Sequence, residues 1–162
     1  MNEIVKNYIS KNGDGEIRVD LLRLAKDENF RKEVVKNIVS KVKQTPHACV
    51  LFPSYQPHCA NNPLGKLINE LALSLVVETL VTGDVEKIRD LRSPVTDVII
   101  IKQSFKSGQG LHDQIMTLVS KGCKVHVICL VSHSSAAIER FRQANDVDIE
   151  ALVSLDEIPY VK

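Results

Sequence analysis

Val98–Ile101 is an unbroken apolar, β-branched run, Val-Ile-Ile-Ile, with no alternation. A strand with one wet face would alternate, so a continuous run of this length reads as a strand buried on both faces, as in a parallel sheet. A polar loop of small residues follows the run after Lys102–Phe105: Lys106-Ser107-Gly108-Gln109-Gly110. Leu111, Ile115, Leu118 and Val119 then recur at helical spacing. Strand, Gly/Ser loop and helix in that order aim backbone N–H groups and a helix N-terminus at one point, which suits an anion. An ordinary strand-to-helix turn has the same composition, so the residues by themselves leave both readings open.

The rest of the chain repeats the strand–helix order. Ala48–Phe52, Lys124–Val131 and Ile149–Val153 read as further buried strands, and Leu75–Leu80 as another. Helices are expected over Leu64–Leu75 and Ser135–Gln143, and over Glu28–Val42 with Asp27 as its cap. Asn2–Ser10 reads as a first short helix stopped by Lys11–Gly15, and Glu16–Leu22 as a strand. The expected fold class is α/β: an open, mainly parallel sheet flanked by helices. Its length suits one domain over residues 1–162, with N-terminal helices and a strand in 1–45 and the sheet core in 46–162. Ligands in such folds bind beyond the carboxyl ends of the strands. The loops at Ser54 and Lys106 both follow strands and would meet at that edge.

Bulk properties exclude several classes. The formal net charge is +1 and no long basic block occurs, which gives nucleic acid or membrane-surface binding no support. There is neither a secretory apolar segment at the N-terminus nor an apolar run of membrane-spanning length. Of the four cysteines, Cys49 and Cys129 sit in apolar runs, as reduced thiols in a cytoplasmic protein would. His47-x-Cys49 and His58-Cys59 lack the paired spacing of a structural zinc site, so no metal is expected there. Adjacent His58 and Cys59 likewise do not make a nucleophile and its oriented base. His126 reads as a packed or hydrogen-bonded strand residue, and His112 as a solvated helix start.

The stretch Ile99-Ile100-Ile101, Lys102-Gln103, Ser104-Phe105, Lys106-Ser107-Gly108-Gln109-Gly110 resembles the phosphoribosyl-pyrophosphate loop of type I phosphoribosyltransferases. That pattern is an apolar strand, two acids, two apolar residues and a Thr/Ser-Gly loop. The likeness extends along most of the chain and is greatest to orotate phosphoribosyltransferases. Gly15–Arg23 resembles their N-terminal strand, and Val50–Gln56 their pyrophosphate loop, with Gln56 where a Lys is usual. Val127–His133 resembles the strand that ends in Asp-Arg, here Ser132-His133. Ala151–Ile158 resembles the closing strand and turn. The resemblance implies phosphate binding by Lys106, Ser107, Gly108, Gln109 and Gly110. It implies a ribose and pyrophosphate edge at Lys102, Gln103, Ser54, Tyr55 and Gln56.

The family's acid pair, which lies by the ribose hydroxyls and the magnesium-bound substrate, is Lys102-Gln103 here. Transfer passes through a cation-like ribose, and a lysine there opposes it. At an effective dielectric near 20, like charges ~4 Å apart repel by about 4 kcal/mol, which is about three decades in rate. The segment expected to hold the family's mobile basic loop, Leu80–Pro94, offers Lys87, Arg89 and Arg92, which fit a solvated face as well. No catalytic residue is assigned. The expectation is a catalytically degenerate phosphoribosyltransferase-like protein that binds a nucleotide, another phosphorylated small molecule or a protein partner. It would act as a cytoplasmic homodimer without cofactor. The alternative is an active, divergent orotate phosphoribosyltransferase, using magnesium and transferring phosphoribose to a pyrimidine base, with an acid from Asp97 or Asp113.

Overall fold

The computed structural model describes residues 1–45, 48–52, 62–75, 79–80 and 97–159. The candidates His47, Ser54, Tyr55, Gln56, His58, Cys59, Lys87, Arg89 and Arg92 lie outside the described residues. The centre of the molecule is a parallel sheet of five strands in the order β4-β3-β5-β6-β7. These are β3 (Cys49–Leu51), β4 (Thr79–Leu80), β5 (Asp97–Phe105), β6 (Lys124–Ser132) and β7 (Asp148–Ser154). Every pairing in it is parallel, as the non-alternating runs require. Helices α4 (Pro63–Ser74), α5 (Leu111–Ser120) and α6 (Ser135–Asn145) occupy the connections.

β5 continues four residues past the apolar run. Lys102 pairs in register with Cys129, Ser104 with Val131 and Phe105 with Ser132. Strand β6 supplies a continuous partner, so backbone pairing carries the polar residues along with the apolar ones. In α5, Leu111, Ile115 and Leu118 are buried, but Val119 is exposed, one position beyond the inward stripe. Gly122, in left-handed conformation, ends that helix as its sequence position suggests.

The N-terminal part departs most from expectation. The helix expected over Asn2–Ser10 stops early: α1 is Asn2–Val5, a 3-10 turn covers Lys6–Tyr8, and β1 (Ile9–Lys11) pairs antiparallel with β2 (Ile17–Val19). Ile9 lies opposite Val19, and Ile9, Ile17 and Val19 all pack on the main core. Tertiary pairing therefore outweighs a helix too short to hold itself. The strand expected through Leu22 ends at Val19 because the Asp20 carboxylate accepts the Arg23 N–H at 3.0 Å, capping a one-turn helix α2 (Leu21–Leu24). Helix α3 (Glu28–Lys43) starts at the expected cap: Asp27 accepts the Phe30 N–H at 3.0 Å.

Two apolar clusters sandwich the sheet. One joins α3 and α4 to one face, with Phe30, Ile38, Leu67, Ile99, Ile101 and Leu130 in contact. The other joins α5 and α6 to the opposite face through Ile100, Ile115, Val127, Cys129 and Ile138. Alternation along β5 sends Ile99 and Ile101 one way, Val98 and Ile100 the other. The double burial of the central strand is thus satisfied by a helix layer on each face. Among the described residues no helix is long and apolar enough to cross a membrane.

Candidate functional site

Strands β5, β6 and β7 end level with one another: Phe105 pairs with Ser132, and Ser132 with Ser154. The turns that follow them share one edge of the sheet. The His133 N–H donates to the Phe105 carbonyl at 2.9 Å and fastens the second turn to the first. Ser132 is fully buried, and its hydroxyl donates to the Ser134 carbonyl at 2.8 Å. The Asp156 carboxylate, beyond β7, accepts the Ser135 N–H at 3.0 Å and the Ser135 hydroxyl at 3.1 Å. The N-terminus of α6 is thereby occupied by a carboxylate of the chain itself. Desolvation raises the Asp156 pKa, but the Ser135 N–H and the Ser134 and Ser135 hydroxyls together outweigh it and hold the carboxyl below its usual range.

The N-terminus of α5 is built differently. Its cap is Gly110, which makes no side-chain hydrogen bond to the helix. Gly108 and Gly110 both have positive φ, 76° and 80°, and the Leu111 N–H returns to the Gly108 carbonyl at 3.0 Å. A side chain at Gly108 would run into the Phe141 ring and lie 3.0 Å from the Phe105 ring. Those two rings meet edge to face, with centroids 5.3 Å apart. The loop is therefore a tight glycine turn seated on an aromatic pair, with Lys106, Ser107, Gln109 and Gly110 exposed above it.

Lys102 and Gln103 lie just inside the strand end and are both partly exposed. Gln103 shares with Ile101, Leu130, Phe52 and Leu67 a void of about 10 Å³ on the α4 face, room for one water. Lys102 acts from the other side of the strand. Burial pushes the Cys129 thiol up to about 12, and the ammonium of Lys102 pulls in the opposite direction. An ammonium and a carboxamide on opposite faces are not an oxygen-rich magnesium set. Among the described residues no group of three or more His, Cys, Asp or Glu side chains could hold a metal.

The structure adds residues the sequence did not single out. Lys106 reaches across to the β1–β2 hairpin, where its Nζ lies 2.6 Å from Glu16 Oε1. Glu16 is itself held by Asn12, whose side-chain oxygen accepts the Glu16 N–H at 2.8 Å, and it pairs with Arg18 at 3.4 Å. The Lys106 ammonium holds the Glu16 carboxyl below its ordinary value. His133 lies within the same field. Desolvation, and then the charges of Lys106 and Arg18, depress its pKa below 6.5, with Glu16 acting the other way. Glu16 carries no local signal beyond strand alternation, since its partner Lys106 lies ninety positions away.

Other candidates lie elsewhere. His126 sits between Asp97 Oδ1 and Asp148 Oδ2, 3.1 Å from each, at the amino ends of the strands. A strand of nine residues rises roughly 27 Å, so Asp97 is remote from the loop and cannot supply the missing acid. His112, expected to be solvated only, pairs its Nδ1 with the Asn145 side chain. Asp113 occupies the exposed first turn of α5.

No protein-family model and no curated protein matches this sequence. Solved structures do match. Adenine phosphoribosyltransferase from Giardia lamblia, solved with 9-deazaadenine, superposes with a TM-score of 0.64 at 13% identity, covering 94% of this chain and 97% of that one. Orotate phosphoribosyltransferase from Mycobacterium tuberculosis, solved with 5-phospho-α-D-ribosyl 1-diphosphate, gives 0.60 at 14% identity over 97% of this chain and 88% of that one. UMP synthase from Leishmania donovani gives 0.59 at 18% identity; 97% of this chain spans only 36% of that protein. The chain has the fold of the type I phosphoribosyltransferases over nearly its whole length.

Proposed function

We propose that this protein binds the phosphate end of a nucleotide or phosphoribosyl compound at residues 106–110 and does not transfer phosphoribose at an enzymatic rate. The observation that carries the reading is the pairing of a glycine-turned loop before α5 with Lys102 and Gln103 at the strand end below it. Backbone N–H groups of a loop and helix start serve an anion whatever the side chains are. Two details of the edge support the choice of loop. The α6 N-terminus holds Asp156, while among the described residues no side chain caps the α5 N-terminus. Lys106 stands at the mouth of the loop as a cation able to make charge-assisted bonds to phosphate.

Catalysis is a different requirement. A developing ribose cation needs negative charge beside it, and positive charge there raises the barrier. Lys102 supplies the wrong sign, Gln103 none, and Asp97 is engaged with His126 at the far end of its strand. The fold is shared with enzymes for an orotate and for an adenine base. The phosphate end is accordingly the part of the ligand assigned. A cytoplasmic homodimer completes the proposal, the dimer supported by Leu73, 88% exposed on α4. Sedimentation velocity tests the dimer.

The deciding experiment is calorimetric titration with phosphate, orotidine monophosphate and phosphoribosyl pyrophosphate, each with and without magnesium, beside an assay for nucleotide formation. Magnesium-independent binding of the phosphate compounds without turnover is expected. Turnover at an ordinary enzymatic rate would reverse the catalytic half of the proposal, and no binding of any of the three would reverse the other half.

A further inference from the structure

The ion pair between Lys106 and Glu16 joins two parts of the fold that no strand pairing connects: the loop after β5 and the tip of the N-terminal hairpin. Glu16 does not reach Lys106 by chance rotation of a free side chain. Asn12 fixes its backbone at 2.8 Å and lies 3.4 Å from its second carboxylate oxygen. Gly15, with φ at 78°, makes the turn that brings it there. The carboxylate thus stands, pre-positioned, on the one lysine of the loop where a phosphate would seek a counter-charge. Both side chains remain open to solvent, at 70% and 36% exposure, so the pair is of the weak, screened kind that a better anion displaces.

From this geometry we infer that Glu16 is a built-in competitor for the anion at Lys106, so that filling the loop releases the hairpin tip. The inference rests on the phosphate reading of residues 106–110 and adds its regulation. An arriving phosphate dianion offers Lys106 more charge and more acceptor oxygens than one carboxylate. Lys106 turns to the ligand, Glu16 keeps Arg18 as its partner at 3.4 Å, and the tip loses its attachment to the loop. The apolar residues Ile9, Ile17 and Val19 hold the base of the hairpin on the core throughout. The motion is therefore confined to the tip between them.

Inorganic phosphate is the probe, titrated calorimetrically into the full chain. Glu16→Gln is expected to bind it about three-fold tighter than wild type, the scale of one exposed ion pair. Lys106→Met is expected to bind it more weakly, and the double variant to match Lys106→Met, because without the lysine Glu16 has nothing to compete for. Asp14→Asn, a charge loss in the same tip away from Lys106, reports the general effect of removing an acid and should change affinity less than Glu16→Gln. Hydrogen exchange gives a second readout: phosphate should speed exchange of the amides between Asn12 and Glu16 in wild type and leave them unchanged in Glu16→Gln, where they are already fast. Equal phosphate affinity in wild type and Glu16→Gln, or a gain that persists in the Lys106→Met background, overturns the competition while leaving the phosphate site standing. Absence of phosphate binding in every variant overturns the site itself, and the competition with it.

Discussion

Gly108 and Gly110 are two residues apart, share nearly the same positive φ, and differ in what surrounds them. An L side chain in that conformation costs about 1–2 kcal/mol. At Gly110 none of the described residues lies within 4 Å of where a Cβ would stand, so backbone strain is the cost they show. At Gly108 the added carbon also collides with the Phe141 ring, which packs against Phe105 and cannot withdraw freely. Overpacking of this kind adds about 1–3 kcal/mol. Gly108→Ala should therefore lose about twice the stability of Gly110→Ala in urea denaturation, and Phe141→Leu should recover part of the Gly108→Ala loss. His133 gives a second residue-level expectation. Its depressed pKa means that the unfolded chain binds the proton more readily than the folded one. Stability should then fall as pH drops below 6.5 toward the folded-state value, and should be unaffected by this group above 6.5. Replacing His133 by Gln should flatten that part of the stability–pH curve.

At the scale of elements, legibility followed the distance over which the cause acts. Helix α3 was legible because its cap, its apolar stripe and its length are written in contiguous residues. Its Asp27 carboxylate accepts the Phe30 N–H and also the Tyr8 hydroxyl, the latter at 2.8 Å. These bonds hold Asp27 below the ordinary carboxylate range, the Phe30 N–H first among them. Asp27→Ala should cost about 1–2 kcal/mol, measured by urea denaturation at pH 7, and the cost should shrink as pH falls below 3.8, where the unfolded chain's carboxyl takes up its proton before the folded one does. The buried strands were legible for the same reason, from their unbroken apolar runs. The hairpin was not, because Ile9 is a strand residue only by virtue of Val19 opposite it. The extension of β5 through Lys102–Phe105 was equally hidden, because β6 supplies it from twenty-seven positions along the chain. The loop at 106–110 could be located from sequence alone. Its counter-charge at Glu16 could not, since nothing local couples a hairpin tip to a loop ninety residues on.

For the whole molecule the question is whether the N-terminal segment is an appendage or part of one cooperative unit. A single apolar cluster contains Val5, Leu24, Phe30 and Ile38 from that segment together with Ile99, Ile101 and Leu130 from the sheet. Surface buried between two parts couples their unfolding, because opening either one exposes apolar area on both. Ion pairs bridge the parts too: Lys41 with Glu150 at 2.6 Å and Arg31 with Glu70 at 3.2 Å. These are partly exposed and contribute little beside the shared core. Ile38 is fully buried on α3, and Ile38→Val should cost about 1 kcal/mol. Native-state hydrogen exchange can locate where that loss is felt. In one cooperative unit the most protected amides of α3 and those of β6, on the far side of the cluster, lose the same opening free energy. If only the α3 amides respond and β6 is untouched, the N-terminal segment is a separately unfolding lobe. Equal loss is the expected result, because Ile38 and the β6 residue Leu130 belong to the same continuous core. The hairpin tip should stand apart from both, since residues 12–16 lie outside that core and their tie to the loop after β5 is the exposed pair of Glu16 and Lys106.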